Sequence, residues 1–188
     1  MKKFISLILC AVLLCGSILF IACDEKDNSG NDVTGEPKGE TTAAPSEIMN
    51  AIVAKYPGIP GQKAMYISGA GEDDESYLDP EYASYLYTGN YEESPEMAML
   101  ESYAIRLPDG KSAFEIHILK VADEASIASI QNFLKSRIDM LNAGDIKLYD
   151  PEGFEKVMSN AEVYTSGKYV YLLITTDNAP AKEAIAGF

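Results

Sequence analysis

Two strand-like runs joined by a tight-turn sequence constrain the fold most strongly. The runs MLESYAIRL and SAFEIHILKV flank the segment Pro108-Asp109-Gly110-Lys111. Turn-forming residues between two alternating runs are typical of a β-hairpin. Because side chains alternate along a strand, Glu115 and His117 share one face of the second run, while apolar residues share the other. We therefore expect a hairpin whose second strand has one polar face.

A second hairpin and several helices complete the predicted order. The runs AEVYTS and KYVYLLITTD flank Ser166-Gly167 and predict the second hairpin. Apolar residues recur at helical spacing in ADEASIASIQNFLKSRIDMLNAG, which Asp123 and Gly144 can cap. Aspartate followed by proline predicts two further helix starts, at residues 79–80 and 150–151.

The remaining segments fix the fold class. Helices are also expected from Ser46 onward and in APAKEAIAGF, and KAMYIS is expected to be a short strand. The order predicts an α+β fold, a mostly antiparallel sheet built from two β-hairpins with helices packed on one face.

The N-terminus predicts export and lipid attachment. Lys2 and Lys3 precede an apolar run from Phe4 to Ala22 that carries no charge, as in a secretory signal. The run ends in Leu19-Phe20-Ile21-Ala22-Cys23, which resembles the bacterial lipobox, where the chain is cut before a lipidated cysteine. We expect a signal peptide at 1–22, lipidation of Cys23 with its palmitate-type acyl chains, and a location outside the cytoplasm on the cell membrane. A plain membrane anchor with an incidental cysteine is the alternative.

The segment after the cysteine predicts a spacer. Residues 24–45 hold one valine and no other large apolar residue, and such composition cannot repay the entropy of folding. We therefore divide the chain into a signal peptide (1–22), a lipidated cysteine with a flexible polar tether (23–45) and a single α+β domain (46–188). All three cysteines lie within residues 1–23, so a disulfide scaffold or a cysteine nucleophile in the domain is excluded.

The acidic composition limits the partners. The chain has a formal net charge of −14, and residues 23–188 carry −16 because only Lys2 and Lys3 are removed. Nucleic acid, whose phosphates require lysine and arginine, is excluded as a partner. The expected partners are the membrane, through the lipid on Cys23, and an unknown protein or cell-envelope component.

Four features of the C-terminal half resemble one family. They are a strand containing Glu115, a long helix carrying Arg137, a helix start with Tyr149 and Pro151, and a closing strand pair with the residues 167–170. Over about residues 100–180 the chain is similar to a bacterial lipoprotein family with the domain of unknown function number 4358, found mainly in Gram-positive anaerobes. The resemblance implies a small surface lipoprotein and supplies no activity or catalytic residue.

Glu115, His117 and Arg137 are candidate site residues. His117 is the only histidine, which excludes zinc sites and relays that need two. An acid/base pair with Glu115 is one hypothesis, and an ordinary polar strand face that tolerates substitution of His117 is the favoured alternative. Arg137 falls near the inner stripe of the long helix, where we expect a structural ion pair with Glu115.

The tyrosine-rich segment 77–91 is a second candidate surface. Tyrosine suits binding surfaces, so a platform for a glycan or peptide is one hypothesis. The favoured alternative is that Tyr82 and Tyr85 pack on the core while the others, Tyr77, Tyr87 and Tyr91, lie at the surface. The acidic run GEDDES could hold calcium, but its spacing favours a solvated loop, and we expect no metal and no cofactor.

These observations predict a non-catalytic binding or scaffolding module at the cell surface, not an enzyme. The alternative is a small-ligand receptor or an envelope hydrolase that uses a pocket near Glu115 and His117. An aromatic cleft would favour the receptor, and a serine beside the two residues would favour the hydrolase.

Overall fold

The computed structural model describes residues 41–59, 62–108 and 111–188. The predicted signal peptide, Cys23 and residues 24–40 of the tether lie outside the described residues. The described part contains five strands: β1 (Gln62–Ile67), β2 (Leu100–Pro108), β3 (Glu115–Val121), β4 (Glu162–Ser166) and β5 (Tyr169–Ile174). It also contains five α-helices: α1 (Pro45–Val53), α2 (Pro80–Thr88), α3 (Ile127–Ala143), α4 (Pro151–Met158) and α5 (Ala179–Ile185).

The strands form one antiparallel sheet in the order β1-β2-β3-β5-β4. Both predicted hairpins are confirmed, β2 pairing with β3 and β4 pairing with β5. Gly167 has φ +53° in the second turn, a conformation that glycine adopts without strain. The predicted short strand KAMYIS corresponds to β1, which extends the sheet beside β2. The predicted α+β class is confirmed.

The helix boundaries follow their capping residues. The Asp79 carboxylate accepts a hydrogen bond from the Tyr82 backbone N–H at 2.9 Å, and α2 ends at Gly89, where φ is +75°. The Asp150 carboxylate accepts one from the Gly153 N–H at 3.0 Å and begins α4. Both cap-and-proline predictions are therefore confirmed, because a side-chain oxygen replaces the missing helical acceptor.

The helices cover both faces of the sheet, so their expected packing on one face is not confirmed. On one face of β3, His117 contacts Tyr87 of α2 and Glu115 contacts Arg137 of α3. On the other face, Phe114, just before β3, packs edge-on against Tyr56, which follows α1, with ring centroids 5.6 Å apart. Helices lie on both faces because β5 is apolar along its whole length. Every residue of that strand is buried, so both of its faces must be covered by other elements.

The chain before α1 also contacts the sheet. The Tyr169 hydroxyl of β5 donates a hydrogen bond to the Ala43 carbonyl at 2.6 Å. Pro45, at the first position of α1, is buried. Residues 41–45, which the sequence places in the tether, thus join the surface of the domain.

Candidate functional site

Four polar side chains meet between the sheet and the α2–α3 pair. Glu115 and His117 come from β3, Tyr87 from α2 and Arg137 from α3. We call these four residues the buried polar network. Tyr87, Glu115 and His117 are at most 1 % exposed, and the side chain of Arg137 is 14 % exposed. Such groups are stable in a core only when their hydrogen bonds are satisfied.

The buried polar network contains an ion pair between Arg137 and Glu115. Arg137 donates from Nε to Glu115 Oε2 at 2.9 Å and from Nη2 to Glu115 Oε1 at 2.5 Å. Its Nη1 donates to the Leu86 carbonyl at 3.2 Å, which ties α3 to the end of α2. This two-point geometry matches the planar guanidinium to the carboxylate. The predicted pairing of Arg137 with Glu115 is confirmed.

The hydrogen bonds of His117 assign its tautomer. Nε2 lies 3.1 Å from Glu115 Oε2, and Nδ1 lies 2.7 Å from the Tyr87 hydroxyl. An ionised carboxylate only accepts, so Nε2–H donates to Glu115. In the neutral imidazole, Nδ1 carries no proton and therefore accepts from the Tyr87 O–H. Phe133 covers Tyr87 with ring centroids 4.1 Å apart. Both imidazole nitrogens are therefore engaged, and neither faces solvent.

The network stabilises an ionised Glu115. Burial has the largest single influence and would raise the pKa of this carboxyl. The Arg137 charge and the hydrogen bonds from His117 and Arg137 together outweigh it and lower the pKa to about 2. Burial likewise raises the pKa of the Tyr87 phenol well above its usual value, so Tyr87 stays a hydrogen-bond donor.

Burial lowers the pKa of His117 below its usual 6.5, and the adjacent Glu115 carboxylate only partly opposes this effect. The Arg137 charge acts in the same direction as burial. The folded state therefore favours the neutral imidazole, which agrees with the hydrogen-bond pattern. A neutral imidazole beside an ionised glutamate and arginine leaves the network with no net charge.

Acidification is expected to destabilise the fold in two steps. The pKa values of Glu115 and His117 are both lower in the folded state than in the unfolded chain. As the pH is lowered, the unfolded chain therefore takes up these protons at a higher pH than the folded state, and the free energy of unfolding decreases. The His117 contribution is present above pH 6.5 and is lost as the pH falls towards its lower folded pKa. The Glu115 contribution, on the order of 3 kcal/mol, is lost between about pH 4.5 and 2.

Urea unfolding measured from pH 8 to pH 3 tests this expectation. Because His117 is the only histidine, a His117→Leu variant should lack the upper step and keep the lower one. A free energy of unfolding that stays constant over this range, or an unchanged upper step in the variant, would contradict it.

The predicted exposed polar face of β3 is wrong. Glu115 is 1 % and His117 0 % exposed, because α2 and α3 cover this side of the sheet. The burial of His117 also argues against the expectation that it tolerates substitution by alanine. Removing the ring would leave a cavity and deprive the Tyr87 hydroxyl of its acceptor, and each effect destabilises a core.

The prediction for the tyrosines of segment 77–91 is confirmed for Tyr82 and wrong for Tyr85 and Tyr87. Tyr82 is half-buried, packs against the core and lies edge-on to Tyr66, with ring centroids 6.0 Å apart. Tyr85, predicted to pack on the core, is 40 % exposed and stacks on Tyr91 at 4.7 Å. Tyr87, expected at the surface, is instead the fully buried member of the segment, because it lies between α3 and β3. Tyr87 lies four residues after Ala83 in α2, so the two residues share one face of the helix, and this spacing was the sequence signal for its burial.

The acidic loop does not gather ligands in the described structure. Glu72, Asp73, Asp74 and Glu75 are all exposed. The Asp74 carboxylate accepts from the Ser76 N–H at 2.7 Å, as in a local turn. Within residues 41–59, 62–108 and 111–188, no group of three or more His, Cys, Asp or Glu is arranged to hold a metal ion. No helix in the same ranges has both the length and the apolar character needed to span a bilayer.

The geometry defines an α+β domain built around a closed polar network. Residues 96–175 match the family model described as Domain of unknown function (DUF4358). The resemblance to the domain of unknown function number 4358 is thus confirmed over these residues, and the matched region contains β2 to β5 with Glu115, His117 and Arg137. No curated protein and no solved structure matches the chain.

Proposed function

We propose that this protein is a lipid-anchored, extracytoplasmic lipoprotein that acts as a non-catalytic binding or scaffolding module at the cell surface. The uncharged run before Cys23 and the polar tether after it support the anchoring. The lipid holds the domain at the membrane, and the acidic composition keeps the domain soluble beside an anionic surface.

The burial of His117 carries the non-catalytic part of the proposal. A general base must come within hydrogen-bond reach of the proton that it takes from a substrate. His117 is 0 % exposed, and both of its ring nitrogens already contact Tyr87 and Glu115. An envelope hydrolase using these residues would need α2 and α3 to separate from the sheet, which favours a structural role for the network.

A small-ligand receptor is the second candidate function. It is favoured by a cleft beside the start of β3, on the face of the sheet opposite Glu115 and His117, which is lined by Phe114 and two lysines and described in the next subsection. This function is compatible with the anchored module, because a receptor needs no catalytic group. It would use a different part of the domain from the pocket near Glu115 and His117 proposed from the sequence.

Replacing Cys23 by alanine is expected to abolish lipid labelling. A thioether to diacylglycerol needs the Cys23 thiol, so incorporation of labelled palmitate in a Gram-positive host should fall to background. The unprocessed variant should also retain residues 1–22 and migrate as the larger precursor.

Cys15→Ala is the matched control, because Cys15 lies within the same apolar run but not at its end. This control should be labelled and cut like the wild type. Undiminished palmitate incorporation by the Cys23→Ala variant would refute the proposed lipid attachment.

A further inference from the structure

Two adjoining cavities form a cleft where β3 begins and β5 has just ended. The larger measures about 350 Å³ and the smaller about 220 Å³, and Phe114 and Thr176 line both. The α4 helix and Lys111 border the larger cavity, whereas residues 55–59 after α1 border the smaller. We call this the Phe114 cleft. The volume of the larger cavity is already within the range of about 300–1,000 Å³ that is usual for small-molecule sites.

The charge of the Phe114 cleft is opposite to that of the chain. Among the described residues, four charged side chains line the cleft. Three are lysines, Lys55, Lys111 and Lys156, and one is an aspartate, Asp150. The whole chain has 15 basic and 29 acidic residues. A local excess of positive charge in an acidic protein favours an anionic occupant over a cationic one.

Some charged groups of the cleft already have partners within the protein. The Asp150 carboxylate accepts from the Gly153 N–H at the start of α4, and Lys55 pairs with Glu183 at 3.3 Å. Lys111 Nζ lies 5.5 Å from the centre of the Tyr149 ring, and the Lys156 side chain is exposed. Lys111 and Lys156 are therefore the lysines best placed to meet a bound anion.

The lining of the cleft combines apolar side chains with hydroxyl groups. Phe114 and Val157 contribute the apolar side chains, and both residues are almost fully buried. Ser112 and Thr176 add hydroxyl groups on the same lining, and Ser112 Oγ accepts from the Phe114 N–H at 3.0 Å. Apolar side chains with a few polar groups are the usual composition of a small-ligand site.

We infer that the Phe114 cleft binds a small amphipathic organic anion. Its phosphate or carboxylate group meets Lys111 and Lys156, and its ring or short alkyl group covers Phe114 and Val157. The cleft lies on a different part of the fold from the buried polar network. The inference is also independent of lipid attachment at Cys23, so either proposal can fail without the other.

Calorimetric titration of the full chain in a non-ionic detergent tests this inference with four probes. Phenyl phosphate and phenylacetate carry both features and differ in the anion, inorganic phosphate lacks the ring, and benzyl alcohol lacks the charge. Phenyl phosphate or phenylacetate should bind about tenfold more tightly than inorganic phosphate and benzyl alcohol. The relative affinities of phenyl phosphate and phenylacetate show which anionic group the cleft prefers. Binding should also weaken as salt is added.

Variants locate the site. The Lys111→Gln/Lys156→Gln double variant should bind the better probe about tenfold more weakly, because two charged contacts are lost. Lys135→Gln, which removes an exposed lysine of α3 outside the cleft lining, should bind like the wild type. No binding, equal binding of benzyl alcohol, binding of inorganic phosphate alone or unchanged binding by the double variant would each overturn the inference.

Discussion

Replacing Glu115 by alanine is expected to lower the free energy of unfolding by about 3–5 kcal/mol. The substitution removes the carboxylate that takes two hydrogen bonds from Arg137 and one from His117. Arg137 would keep its charge in a site where its side chain is 14 % exposed, leaving an uncompensated buried cation. Urea unfolding at neutral pH measures the loss.

Glu101→Ala is the matched control for this prediction. Glu101 also forms an ion pair, with Lys120 at 2.6 Å, but its side chain is 48 % exposed. Its loss should cost no more than about 1 kcal/mol. A Glu115→Leu/Arg137→Met variant should be less destabilised than Glu115→Ala, because neither charge remains buried alone. Equal losses for Glu115→Ala and Glu101→Ala would contradict this prediction, because breaking the buried ion pair would then cost no more than breaking the exposed one.

Local sequence patterns predicted most of the secondary structure. The turn segments at residues 108–111 and 166–167 marked both hairpins, and Asp79 and Asp150 marked two helix starts. These signals depend on a few adjacent residues, so tertiary packing does not override them. The position of β5 between β3 and β4 was not predictable in the same way, because strand order depends on long-range contacts.

The burial of β3 shows why the site was harder to predict. Alternation of Glu115 and His117 with isoleucines is typical of a strand with one exposed face. In the structure, both faces of this central strand are covered, and the polar residues are balanced by Arg137 and Tyr87 from distant helices. The continuous apolar run of β5, its neighbour, was the available sign that both sides of the sheet are buried.

The Arg137 prediction succeeded because it combined position with charge. An arginine near the inner stripe of a helix needs a carboxylate partner, and Glu115 was the candidate named from the sequence. Tyr87 could not be assigned to His117 in this way, since an uncharged hydroxyl has many possible acceptors. The cleft beside Phe114 was also not predictable, because its lining comes from residues far apart in sequence.

A closed polar network also predicts that His117 is chemically inert in the folded protein. Diethyl pyrocarbonate acylates a neutral imidazole only if a ring nitrogen is free and accessible. Both nitrogens of His117 are hydrogen-bonded, and the residue is 0 % exposed. Acylation should then require unfolding, so it should proceed at least about a thousandfold more slowly than in the urea-unfolded chain.

The acylation rate of His117 is therefore the most direct measurement of whether this network is structural or catalytic. Because the chain has one histidine, the mass of the peptide that contains it reports a single site. A Lys135→His variant provides an exposed histidine on α3 as an internal reference in the same folded molecule. We predict rapid acylation at position 135 with His117 unmodified until the chain unfolds. Acylation of native His117 at a rate close to that of position 135 would contradict the closed network and place this histidine in a site open to substrate.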